Sequence, residues 1–204
     1  MRPRLRILVP TALLLLASAC MPQYQGRVYG PWEEGLTLAY EDPTLPQPQR
    51  SEERLQVRVA KASFQAAGSG TVQVDYTSVH GSLTLVLQHQ DGGIALLGPD
   101  GKIMARILPE GFPQTSAWVD HGTAFRVVGR ATWDGASILP STSSAVGEWV
   151  EARPAQGPLR RTLYLPGLGE VETQELRQGA WVTINRLVAR GFTDLPISGS
   201  PHGR

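Results

Sequence analysis

Apolar residues recur at every second position along most of this chain, the spacing that turns one side of an extended strand toward a core. Leu36 to Tyr40 opens the pattern. From Leu55 the positions Leu55, Val57 and Val59 oppose Gln56, Arg58 and Lys61, with a helix over Ser51 to Phe64 as the weaker alternative. Val72, Val74 and Tyr76 share a face within Thr71 to Val79, as do Leu83, Leu85 and Leu87 within Ser82 to Gln88. Between them His80-Gly81 predicts a hairpin turn, because glycine supplies the positive φ such turns need. Gly93 to Leu97 and Lys102 to Leu108 flank a second turn, Gly98-Pro99-Asp100-Gly101. Ala117 to Asp120 is a short strand. Ala124 to Trp133 sets Phe125, Val127, Gly129, Ala131 and Trp133 against Arg126, Val128, Arg130 and Thr132, and ends at Asp134-Gly135. Ile138 to Ala145 reads as a Ser/Thr-rich loop and Glu148 to Ala152 as a brief strand. Arg160 to Leu165, Gly169 to Leu176 and Ala180 to Arg190 follow as strands with tight connections.

Strands at this spacing, with no convincing amphipathic helix between them, predict an all-β fold. The expected architecture is an antiparallel meander of about nine strands, a curved sheet or partly closed barrel of the LolA/LolB-like or lipocalin-like kind. It has little or no helix. Such a sheet must close, fold over or receive a cover to hide its apolar face and edges. Glu41 to Glu53 holds Pro43, Pro46 and Pro48 among polar residues and predicts an exposed, extended loop.

The first residues break the pattern. Arg2, Arg4 and Arg6 precede an apolar run from Ile7 to Ala17, which ends in Ala17-Ser18-Ala19-Cys20. A positive start, an apolar stretch too short to span a bilayer and a small-residue cleavage site make an export signal. Ala17 and Ala19 satisfy ordinary signal peptidase. Cys20, directly after Leu16-Ala17-Ser18-Ala19, also resembles the lipobox of bacterial lipoproteins, although leucine is commonest where Ala17 stands. That resemblance implies a diacylglycerol thioether on Cys20 and an N-acyl chain after cleavage. Cys20 is the single cysteine, so it has no internal disulfide partner, which favours lipidation. Two or three acyl chains anchor durably, since each buried methylene contributes about 0.8 kcal/mol. Met21 in place of aspartate implies, by the lipoprotein sorting rule, the periplasmic face of the outer membrane where there is one.

The expected organisation is a signal peptide at 1–19, a lipidated tether at 20–29, one β-domain at 30–192 with its Pro-rich loop at 41–53, and a flexible tail at 193–204. Without the leader arginines, 16 basic residues face 18 acidic ones, a net charge of about −2 against +1 for the whole chain. The basic pI therefore belongs to the leader, and no basic patch argues for nucleic acid.

Two stretches suggest a relationship. Tyr164-Leu165-Pro166-Gly167-Leu168-Gly169-Glu170-Val171-Glu172-Thr173 resembles the aromatic-x-Pro-Gly-x-Gly-x-Val signature of TapB-like envelope β-proteins, where a later strand like Trp181 to Gly191 follows. Pro31-Trp32-Glu33-Glu34-Gly35-Leu36-Thr37-Leu38-Ala39-Tyr40 is similar to that group's opening strand, with Leu38 where an aromatic is common. The resemblance implies a curved β-sheet and an envelope location, and no reaction.

Catalysis finds little purchase. His80 falls in a turn, His89 beside a strand end and His202 in the tail, which leaves Asp120-His121, between Trp118 and Gly122, as the best pair. A nucleophile would be an unmarked serine such as Ser116 or Ser137. No Gly-x-Ser-x-Gly elbow, His-Glu-x-x-His helix or metal-ligand spacing is present. The expectation is a non-catalytic protein with no catalytic residue, cofactor or metal. Its membrane partner is lipid through acylated Cys20; its other partner is either an apolar ligand or an envelope protein. A ligand cavity would draw on Tyr76, Phe125, Trp133, Tyr164 and Trp181, although inward aromatics commonly just fill a core. The alternative is an assembly protein with a filled core that docks through a sheet edge.

Overall fold

A computed structural model describes residues 29–65, 69–135, 138–139 and 146–192. The leader, Cys20, the start of the tether, Ser137 and the tail 193–204 lie outside these residues.

The strands are β1 (Thr37–Glu41), β2 (Leu55–Phe64), β3 (Gly70–Ser78), β4 (Gly81–Gln90), β5 (Gly93–Leu97), β6 (Ile103–Leu108), β7 (Ala117–Asp120), β8 (Thr123–Thr132), β9 (Val146–Arg153), β10 (Arg160–Leu165), β11 (Gly169–Arg177) and β12 (Ala180–Gly191). A short helix, α1 (Gln49–Glu52), interrupts the Pro-rich loop. All twelve strands form one antiparallel sheet in the order β6-β5-β4-β3-β2-β1-β12-β11-β10-β9-β8-β7. Two meanders, β1 to β6 and β7 to β12, are thus joined where β1 pairs with β12. The edge strands β6 and β7 come together to make a nearly closed barrel. At this seam His121 Nε2 lies 2.5 Å from the Met104 carbonyl oxygen, where the Nε2–H tautomer donates.

Curvature comes from bulges, which insert an extra residue and sharpen the local bend. Register shifts occur between Ala39 and Tyr40, Val59 and Lys61, Val127 and Gly129, Leu163 and Tyr164, and Thr173 and Gln174. Leu38, Tyr40, Val57, Val59, Val72, Val74, Leu87 and Ile94 line the inner face and are buried. Outside the sheet, Leu163 and Leu165 are equally buried, on the face that Gly147 and Trp133 share with them by register.

One end is sealed. Tyr29, the last residue of the tether read from the sequence, is buried, and its ring meets Phe112 edge to face at 4.7 Å. Phe112 sits in the loop between β6 and β7 and also approaches Trp118 (6.5 Å) and Tyr164 (6.4 Å). Backbone passes so closely here that a Cβ on Gly147 would stand 2.4 Å from the Tyr164 carbonyl oxygen. Gly147→Ala is therefore expected to cost about 1–3 kcal/mol through forced backbone shifts, read as a lower urea midpoint.

Candidate functional site

The other end is open, and the register shows what faces into it. Tyr76 is the cross-strand partner of Leu83 and of Val57, so β2 to β4 present Val57, Tyr76 and Leu83 on one inner wall. Leu83 is 58% exposed although it points inward, because it lies at the rim. The facing wall belongs to β7 to β10: Trp118 pairs with Phe125, Phe125 with Ala152 and Ala152 with Arg160. Trp118 and Phe125 stack flat, 5.1 Å apart at 7°. Thr123, Phe125, Ala152, Pro154, Pro158 and Arg160 border a groove of about 420 Å³ on this wall. That is inside the range of about 300–1,000 Å³ usual for small-molecule sites.

Below the walls lies a polar layer. The Tyr40 hydroxyl donates to the Glu170 carbonyl oxygen at 2.8 Å. The Glu170 carboxylate accepts from Thr173 Oγ1 at 2.6 Å and from Asn185 Nδ2 at 3.0 Å. Thr173 in turn meets Thr162 across the strands at 3.0 Å. Burial, with Glu170 nearby as the next cause, pushes the hydroxyls of Tyr40, Tyr76 and Tyr164 above the ordinary tyrosine value, so they remain protonated donors. Beneath this layer Leu38, Val59, Val72, Val74 and Leu87 are buried, so the open end reads as a cup over an aliphatic core.

Of the five aromatics expected to line a cavity, the structure brings Tyr76, Phe125 and Tyr164 to the inner face. Trp133 and Trp181 are elsewhere, and in both cases a bulge is the reason. Simple alternation along β8 aligns Trp133 with Phe125. The extra residue between Val127 and Gly129, with Gly129 at φ +147°, moves Gly129, Ala131 and Trp133 to the outer face, where Trp133 is buried. In β12 the register slips between Asn185 and Thr183, so Asn185 points inward while Thr183 and Trp181 point outward. There Trp181 and Trp149 hold the Arg161 guanidinium between them, 4.4 and 4.6 Å from the ring centres.

The Asp120-His121 pair lies on the rim of the cup. Asp120 Oδ2 is 3.9 Å from His121 Nε2, the same nitrogen that meets the Met104 carbonyl. Ser116 serves the sheet backbone, its carbonyl accepting from the Val127 N–H at 2.8 Å. Among the described residues no three or more His, Cys, Asp or Glu side chains converge, and no helix is long and apolar enough to cross a membrane.

Sequence reasoning missed Arg160, Glu175 and Arg177 at the lip of the cup. Arg160 Nη2 donates to Glu175 Oε2 at 3.0 Å, and Arg177 Nε donates to Oε1 at 2.9 Å. These bonds, Arg177 first, hold the Glu175 carboxyl below the usual range. The hairpin register set by Pro166 to Gly169 was the available signal, since it places Arg160 opposite Glu175.

No family model and no curated protein matches the chain. Among solved structures it is similar to a presumed exported protein with a YmcC-like fold from Bacteroides fragilis, at 13% identity and a TM-score of 0.46, covering 81% of this chain and 99% of that one. It is similar as well to a presumed lipoprotein from Parabacteroides distasonis, at 12% identity and a TM-score of 0.45, with the same coverage of 81% and 99%.

Proposed function

We propose that this chain is an exported envelope protein, lipid-anchored through Cys20 at the periplasmic face of the outer membrane, that binds an apolar ligand in the open end of its barrel without transforming it. The observation that carries the reading is the cup itself. Tyr76, Leu83, Phe125 and Ala152 form inward-facing apolar walls that the filled core leaves open to solvent, above a layer of tyrosine hydroxyls and the Glu170 carboxylate. Inward apolar surface left uncovered at a rim is what a ligand covers. The rim histidine favours binding over catalysis, because its Nε2 is engaged with a backbone carbonyl and no candidate nucleophile sits beside it among the described residues.

A second reading, assembly through a sheet edge, has one observation of its own. The β5 ladder covers Val86 to Gln90 of β4, and Gly81 to Leu85 has no strand on that side among the described residues. A partner strand could add there.

Intact-mass and lipid analysis of the protein extracted from membranes with mild detergent tests both the anchor and the cup. The expected result is a diacylglycerol-plus-acyl increment on Cys20, membrane retention that Cys20→Ala abolishes, and a copurifying lipid. An unmodified soluble chain would remove the anchor. A modified chain that carries no lipid but captures an envelope protein would favour the edge-docking reading.

A further inference from the structure

The lip of the cup carries a charge that apolar binding does not use. Arg160, Glu175 and Arg177 share one carboxylate between two guanidinium groups, so the cluster holds one positive charge in excess. Both arginine side chains are about half exposed, at 53% and 49%, while Glu175 is 12% exposed between them. The spare guanidinium donors therefore face solvent at the lip. Arg160 stands on the same inner face as Ala152 and Phe125 and borders the groove with Pro154 and Pro158. A second carboxylate, Asp120, is the cross-strand partner of Thr123, which borders the groove, and its Oδ2 is 3.9 Å from His121 Nε2. An apolar wall thus ends in an arginine whose Nε and Nη2 both donate to Glu175 Oε2, at 3.1 and 3.0 Å, which leaves Nη1 and the second Nη2 hydrogen to meet a carboxylate or phosphate oxygen.

We infer that the groove takes a single-chain lipid with one anionic head group, its chain against Phe125, Ala152, Pro154 and Pro158 and its head at Arg160. The inference rests on the ligand-cup reading and adds the charge and the orientation of the ligand. Glu175 keeps the lip at a single excess charge, so a zwitterionic or cationic head gains nothing there.

The test is isothermal titration of the mature Cys20→Ala protein, purified without detergent, with dodecanoate and with neutral 1-monododecanoylglycerol below their micelle concentrations. The wild-type groove is expected to bind dodecanoate about tenfold more tightly than the neutral lipid, the scale of one charge-assisted hydrogen bond. Arg160→Gln should bring the two affinities together by weakening dodecanoate binding more than neutral binding, and Glu175→Gln should widen the gap. Equal affinities in the unsubstituted groove, or a preference that survives Arg160→Gln, would overturn the anionic assignment and leave the cup standing. Failure of both lipids to bind would overturn the cup as well. Unchanged thermal melting of Arg160→Gln, expected for a half-exposed side chain, keeps folding out of the comparison.

Discussion

Phe112→Ala is expected to destabilise the domain by about 3–5 kcal/mol, the usual cost of deleting a buried phenylalanine ring. Phe112 is 3% exposed and stands where three parts of the chain meet: Tyr29 from the N-terminal segment, Trp118 from β7 and Tyr164 from β10. None of these partners can move into the space without leaving its own strand or seal, so the cavity persists. The loop that carries Phe112 also joins β6 to β7, the two edge strands, and its anchorage decides how closely they approach. Thermal melting should fall by roughly 10 °C, given about 2–4 °C per kcal/mol for a domain of this size. Phe112→Leu should recover about half of the loss, whereas Gln114→Ala, in the same loop but exposed, should stay within about 0.5 kcal/mol. A loss below about 1 kcal/mol for Phe112→Ala would mean that the loop is a surface appendage and that the barrel is sealed by other means.

The strands themselves were legible because half-buried strands write their faces into a period of two. Ala117 to Asp120 and Arg160 to Leu165 coincide with β7 and β10, while the hairpin expected at His80-Gly81 turns one residue earlier, at Val79-His80, with Ser78 paired to Gly81 at the start of β4. The helix over Ser51 to Phe64 shrinks to Gln49–Glu52, since Leu55, Val57 and Val59 find strand partners on both sides. Even the short strands β5, β6 and β7 have counterparts in the pattern at Gly93 to Leu97, Lys102 to Leu108 and Ala117 to Asp120, so the twelve-stranded sheet exceeds the nine or so expected only because that count fell short of the segments themselves. What alternation cannot show is where it breaks. A bulge leaves no mark beyond an extra residue, and those at Val128 and Ile184 send Trp133 and Trp181 out of the cup while Phe125 stays in it. Closure was equally hidden: the pairing of β1 with β12, Tyr40 against Leu187, depends on residues from opposite ends of the domain. The loop that seals the barrel gave one sign, a phenylalanine between glycine and proline where a solvent-exposed turn would hold polar residues.

Acidification from pH 6.5 toward pH 4 is expected to remove roughly 3 kcal/mol of stability through His89 alone. His89 is 2% exposed, paired across strands with Gly70 and Ile94, and its ring meets Phe64 at 5.5 Å. Its Nε2 is buried without a hydrogen-bond partner among the described residues, and the backbone of Gly30 comes close enough that a Cβ there would stand 2.3 Å from the ring. No described residue stabilises an imidazolium there, and burial lowers the His89 pKa from 6.5 to about 4. The unfolded chain therefore takes up a proton near pH 6.5 that the folded chain refuses until about pH 4. Between these values the unfolded state binds more protons, so stability rises with pH and falls with acid. The contribution is complete above pH 6.5, and about 1.4 kcal/mol per unit of pKa difference sets its size. Urea unfolding of the wild type between pH 7 and pH 5 should show this slope, and His89→Leu should flatten it. Glu175, held below the carboxylate range, adds its own loss only at lower pH, which leaves the upper window to the histidine. An equal slope in His89→Leu would show that His89 gains a proton partner or solvent in the folded protein. In that case the seal that Tyr29, Gly30 and Phe112 make over this end of the barrel would be looser than its packing implies.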